Sequence, residues 1–190
     1  TRDPSGKRWW QPCLSNPDVL RIMIEGIRSW LRDNPEARLV SVSQNDSFVI
    51  GSYCTCPACR AVNEEEGAPS GSLIRFVNAV AEALESEFPE VTFDTLAYQY
   101  STQPPKLTHP RHNVAIRMCT GGCSSHPIPD CANNAGSADA IRGWSQICRQ
   151  LYIWDYTTDF AQYLNPYPNF QTLQDNIRFF RDHNVCGVFE

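Results

Sequence analysis

Three short apolar runs in this chain end in a carboxylate. Leu39-Val40-Ser41-Val42-Ser43 leads into Gln44-Asn45-Asp46, Leu151-Tyr152-Ile153 into Trp154-Asp155-Tyr156, and Val185-Cys186-Gly187-Val188-Phe189 into Glu190. In parallel α/β architectures every strand delivers its last side chains to the same rim, so reactive groups gather where strands finish. Asp46, Asp155 and Glu190 are therefore the candidate catalytic residues of a carboxylate-lined cleft.

The second chemical signal is nine cysteines in 190 residues. Cys54, Cys56 and Cys59 form C-x-C-x-x-C in a loop; Cys119, Cys123 and Cys131 crowd a Gly/Ser/Pro-rich stretch; Cys13, Cys148 and Cys186 lie alone. An oxidising compartment explains the number most simply, and the six clustered residues are read as disulfide candidates. The competing reading is zinc: three thiolates at the C-x-C-x-x-C spacing would need a fourth ligand from elsewhere, since no second C-x-x-C completes the set. No metal or cofactor is assigned. His109, His112, His126 and His183 show no metal-ligand spacing.

The elements that must position these residues alternate along the chain. Asn16-Pro17 starts a helix whose apolar face is Leu20, Met23, Ile24, Ile27 and Leu31. A strand over residues 39 to 43 follows, then a long loop through the cysteines. Ser70 caps a helix with Leu73, Phe76, Val77, Val80, Ala81 and Leu84 on one face. Strands are predicted over about Val91 to Tyr100 and Asn113 to Cys119, with prolines 104, 105 and 110 excluding a regular helix between them. A helix capped by Ser137, a strand ending at Asp155, an aromatic loop, a helix through Leu173, Ile177 and Phe180, and a last strand complete the pattern. The rhythm predicts an α/β fold, a (β/α)-barrel. Five strands fall short of the eight of a closed barrel, so residues 1–190 read as a single partial barrel holding the later strands. The start, Asp3-Pro4-Ser5-Gly6-Lys7, reads as a turn arriving from earlier sequence, with other domains of a longer chain as possible neighbours.

Composition excludes some classes. At 42% hydrophobic residues and net charge −5 the chain can bury a core but offers no basic face for nucleic acid. Its apolar runs are too short for a membrane span. No phosphate loop, dinucleotide fingerprint or G-x-S-x-G elbow occurs.

Several segments carry a family resemblance: Ser43-Gln44-Asn45-Asp46 with Cys54-x-Cys56-x-x-Cys59, Ser70 through Ala81, Asp94-Thr95-Leu96-Ala97-Tyr98, Leu151 through Tyr156, and Asn176-Ile177-Arg178-Phe179-Phe180. Occurring in this order from Gln11 onward, they resemble domain of unknown function 4838. The resemblance implies a (β/α)-barrel of glycoside-hydrolase type, similar to α-glucuronidases and β-hexosaminidases, in secreted or surface-attached proteins that handle polysaccharide. It assigns no activity residue by residue.

Glycoside hydrolysis needs two acids across a sugar ring. Asp46 after Asn45 resembles the Asn-Glu ending of the acid-bearing strand in barrel glycosidases, with a shorter side chain. Asp155, flanked by Trp154 and Tyr156, is its partner; aromatic neighbours offer a sugar platform and raise a carboxyl pKa. Glu190 is the third. Each has a plainer reading as a cap, turn former or exposed acid. Arg117, inside an apolar strand, must find a partner in Asp155 or Asp94, or else clamps a uronic or sulfated sugar. Tyr98, Tyr100, Trp154 and Tyr156, with Asn45, complete the candidate substrate-binding set, against a plain core-packing role for the strand aromatics. Trp9-Trp10 either binds sugar or covers a core edge. Glu64-Glu65-Glu66 reads as a solvated run. Asn45-Asp46-Ser47 is also the chain's glycosylation acceptor pattern, and a glycan there would block the cleft.

The resulting expectation is an extracellular, carbohydrate-directed domain acting as a glycoside hydrolase. The alternative is a carbohydrate-binding or structural module that keeps the fold without the chemistry. A thiol or zinc protein is the third class.

Overall fold

The computed structural model describes residues 11–46 and 52–189. Helix α1 (Pro17–Asp33) begins where the sequence sets it: Asn16 is the cap, its side-chain oxygen accepting the Asp18 N–H at 2.8 Å, and Pro17 occupies the first turn. Then follow β1 (Leu39–Ser41), α2 (Pro57–Glu66), α3 (Ser70–Glu85), β2 (Thr92–Ala97), β3 (Val114–Cys119), α4 (Ala135–Ile147), β4 (Leu151–Trp154), α5 (Phe170–Asp182) and β5 (Val185–Phe189). The five strands form one parallel sheet in the order β1-β2-β3-β4-β5. The expected α/β class holds, with a sheet whose spatial order never departs from chain order.

Strand alternation divides this sheet into two unlike faces. Val40 and Val42, Phe93 and Ala97, Val114, Ile116 and Met118, and Leu151 and Ile153 join the core with Ile27 and Leu31 of α1, Leu73 to Leu84 of α3, Ile141 and Trp144 of α4, and Phe179 and Phe180 of α5. The alternate positions are outside that cluster: Ser41, Asp94, Leu96, Arg117, Tyr152 and Trp154. A helix-covered apolar face and an opposite face bearing a carboxylate, a guanidinium and aromatics follow from the period of two.

Three local expectations are corrected. The loop through the C-x-C-x-x-C contains α2, a ten-residue helix with Cys56 as its cap and Pro57 in its first turn; its short, weakly apolar sequence hid it. Ser70 and Ser137 do not cap their helices. The Ser70 hydroxyl donates to the Gln103 carbonyl at 2.5 Å, and the Ser137 hydroxyl accepts the Gly121 N–H and donates to the Gly121 carbonyl. Glu66 is not solvated: it is fully buried at the end of α2. Immediately after it, Gly67 closes the helix at φ 70°, with the Lys106 side chain against the position a Cβ would take. Gly67→Ala is expected to cost about 1 kcal/mol, read as a lower denaturation midpoint, because an L side chain resists this left-handed cap.

Candidate functional site

The chain beyond β1 is held extended toward the carboxyl edge of the sheet. The Val42 N–H donates to the Asp94 carbonyl at 2.7 Å, and the Gln44 side-chain amide donates to the Tyr98 carbonyl at 2.8 Å and the Ser101 hydroxyl at 2.9 Å. Asn45 is gripped through its backbone by the buried Gln11 side chain, which donates to the Asn45 carbonyl at 2.8 Å and accepts its N–H at 2.9 Å. These contacts deliver Asp46 to the rim, where the Tyr98 hydroxyl donates to its Oδ1 at 3.3 Å. Tyr98 is itself fixed by the turn after β2, in which the Ser101 hydroxyl accepts the Tyr98 N–H and donates back to the chain.

Asp46, Tyr98, Trp154 and Tyr156 line one cavity of about 190 Å³, with Gln44, Leu96 and Cys119. The Asp46 carboxylate shares this cavity with Cys119, at the end of β3, and with Tyr156, just after β4. Burial pushes the Cys119 thiol up to about 11; Arg117 opposes this and Asp46 adds to it. Burial likewise raises Tyr156, with Cys119, Tyr98 and Asp46 contributing. Trp154 is braced edge-to-face by Phe189, ring centroids 5.0 Å apart.

Asp155 lies on the same rim in a neighbouring cavity of about 100 Å³, shared with Thr120, Gly121, Gly122, Tyr167 and Asn169. Its N–H donates to the Phe189 carbonyl at 2.9 Å, and its Oδ1 accepts the Thr120 hydroxyl at 2.6 Å. Tyr156 walls both cavities. The two leading acids thus share a rim and a wall but not a cavity.

Of the other expected residues, Arg117 pairs with Asp94 on the open face, its guanidinium 6.0 Å from the Trp154 ring centroid. Asp94 is the partner because it sits beside Arg117 on the adjacent strand, where Leu96 and Arg117 are in register. Tyr100 is not brought to the Asp46 cavity: it stacks on Tyr53 at 5.0 Å, and burial pushes its hydroxyl far up. Asn45 is exposed, so burial does not protect its acceptor pattern from modification. Glu190, Trp9 and Trp10 lie outside the described residues.

The disulfides expected among the clustered cysteines are not seen. All nine cysteines are free thiols. Cys54, Cys56 and Cys59 instead gather with Cys13, all four sulfurs within 4.8 Å of one another. Cys119 floors the Asp46 cavity. Cys123 and Cys131 gather with His126, ligand atoms again within 4.8 Å, and Cys123 Sγ is 3.1 Å from His126 Nδ1. This hydrogen bond is the first cause of a lowered Cys123 pKa. The group is organised by Asn134, which accepts the Cys123 N–H at 2.6 Å and donates to the Cys123 and His126 carbonyls. Sequence reasoning missed Gln44, Thr120 and Asn134, whose roles are positional and leave no spacing signature. It also missed the grouping of His126, for which Cys123-x-x-His126 was the available signal.

A family model described as a domain of unknown function (DUF4838) matches residues 1–190. No curated protein and no solved structure matches the chain.

Proposed function

We propose, for a chain that belongs to the domain of unknown function 4838 family, a carbohydrate-directed cleft on part of a (β/α)-barrel of glycoside-hydrolase type. Unbroken strand order supports the barrel: with right-handed crossovers every helix falls on one face, as in a barrel, whereas a doubly wound sheet reverses its order to cover both. The polar open face, with Asp94, Arg117 and Tyr152, would then line the barrel interior. The observation that carries the functional reading is the Asp46 cavity itself, an acid at the carboxyl rim among Tyr98, Trp154 and Tyr156. Aromatic faces stack on sugar rings, and an acid beside them is placed to protonate a glycosidic oxygen or assist attack. Asp155, oriented by Thr120, is the second acid. The expected substrate is an extracellular polysaccharide or glycan.

A second reading, a binding module without hydrolysis, is favoured by the separate cavity of Asp155. One experiment separates the two. The protein is screened for release of reducing ends from a panel of polysaccharides, and for binding to the same panel. Under the hydrolase reading Asp46→Asn and Asp155→Asn each abolish release while binding persists, and Trp154→Ala weakens binding. Binding that depends on Trp154, with no release by the unmodified protein, leaves the module. Neither binding nor release on any carbohydrate overturns the proposal.

A further inference from the structure

The cluster of Cys13, Cys54, Cys56 and Cys59 lies apart from the Asp46 cavity and takes no part in the proposed chemistry. Its geometry is informative. Cys13 Sγ is 3.7 Å from Cys56 Sγ and 3.8 Å from Cys59 Sγ. A disulfide would bring two sulfurs to about 2 Å and leave the pairs distinct. Four thiolates around one zinc ion, each about 2.3 Å from the metal, stand about 3.8 Å apart along the edges of a tetrahedron. The separations at Cys13 match that edge.

The surroundings suit a metal rather than an accident of packing. Cys56 caps α2 and Cys59 sits in its first turn, with the Cys59 N–H directed at Cys56 Sγ at 3.5 Å. Unsatisfied N–H groups at a helix start favour negative charge, as a thiolate set requires. The Ser15 hydroxyl lies 3.1 Å from Cys59 Sγ, a donor of the kind that orients ligands from the outer shell. Four ligands come from two segments far apart in sequence, so the arrangement depends on the fold. Cys13 is the fourth ligand that the C-x-C-x-x-C alone lacks.

We propose that Cys13, Cys54, Cys56 and Cys59 bind one zinc ion in a closed, all-sulfur, structural site. With four protein ligands no position is left open for substrate, and an all-thiolate tetrahedron selects zinc over magnesium or calcium. The site joins the segment ahead of α1 to the start of α2. Gln11, two residues before Cys13, holds Asn45 and donates its backbone N–H to the Ser52 carbonyl at 3.2 Å. The metal would therefore anchor the segment through which Gln11 holds Asn45 and Ser52. This inference stands independently of the carbohydrate reading.

The test is metal analysis of the protein purified under reducing conditions without added chelator. Zinc is expected, with one equivalent lost in Cys13→Ser and retained in Cys186→Ser, an exposed thiol outside the cluster. Cys123→Ser separates any contribution from the Cys123, His126 and Cys131 group. Should Cys13→Ser fail to fold, alkylation of the unmodified protein decides. Cys13, Cys54 and Cys56 are expected to resist a thiol reagent until a chelator is added, and cobalt loading should give tetrahedral thiolate absorption. Peptide mapping that finds these cysteines in disulfides overturns the proposal. So does alkylation of the three unaffected by chelator, zinc content unchanged by loss of Cys13, or iron in place of zinc.

Discussion

Replacing Glu66 with glutamine lowers folding stability at pH 7 by about 3 kcal/mol, the expected result of removing a carboxylate whose folded-state pKa is about 2 against an ordinary 4.5. Burial of this fully enclosed group acts first and raises the pKa. It is outweighed by the Thr108 hydroxyl, by the Thr108 and Leu107 N–H groups at 3.0 and 2.9 Å, and by the Arg75 guanidinium at 2.6 and 2.8 Å. Such charge-assisted bonds weaken with a neutral amide, which cannot accept from all of them. Because the folded pKa is depressed, the contribution is fully present above about pH 4.5 and is lost as pH falls toward about 2. Urea denaturation of both proteins should therefore show a gap that is constant at neutral pH and closes with acid. A gap independent of pH between 5 and 2 would mean that packing, not charge, holds this corner.

The Glu66 case shows why parts of this fold were legible in sequence and parts were not. Helix α1 announces itself through Asn16-Pro17 and a regular apolar face, β4 through a continuous apolar run, and β3 through an apolar run broken only by Arg117. Helix α2 is only ten residues, and it carries three consecutive glutamates that local charge logic sends to solvent. Its end is buried because a distant segment, residues 106 to 108, supplies the donors and α3 supplies Arg75. Gly71 makes room: a Cβ there would stand 2.4 Å from the Glu66 side chain. Burial created by tertiary partners has no local sequence signature.

The site divides the same way. That acids cluster on one rim followed from strands ending in carboxylates, and Asp46, Trp154 and Tyr156 do meet there. That Asp155 falls in the next cavity depends on the Thr120 hydroxyl and the irregular loop after β3, which no periodicity describes. The grouping of the cysteines was missed for a related reason. Counting thiols in one chain suggests pairs, whereas the folded arrangement brings Cys13 across forty residues to a set of three.

Breaking the Asp94–Arg117 pair is expected to have the other large effect, also fading in acid but from the opposite shift of a carboxyl pKa. The Asp94 side chain is fully buried and that of Arg117 is 24% exposed. Removing one member of a buried pair costs about 3–5 kcal/mol because the other charge remains, and the partial exposure of Arg117 places Asp94→Ala toward the lower end. Burial is the first influence on the Asp94 carboxyl and raises its pKa, while Ser41 and Arg117 pull it down. Arg117→Met removes that opposing cation, so the folded pKa rises further above its unfolded value. A raised carboxyl pKa makes proton uptake favour the folded state. The Arg117→Met deficit should therefore be largest at neutral pH and shrink as pH falls through the folded pKa, where Glu66→Gln shrinks for the contrary reason that its wild-type partner loses its advantage. The double variant Asp94→Leu/Arg117→Met leaves no unpaired charge and should recover most of the loss. If it does, the pair is not required for stability, which leaves it available for a role in the proposed cleft. A guanidinium already paired with Asp94 and lying beside Trp154 is a positioned hydrogen-bond donor more than a free cation, so under the proposed carbohydrate reading Arg117→Met should weaken neutral and anionic sugars alike. Selective loss of uronic or sulfated sugars would instead mean that Asp94 yields Arg117 to the ligand.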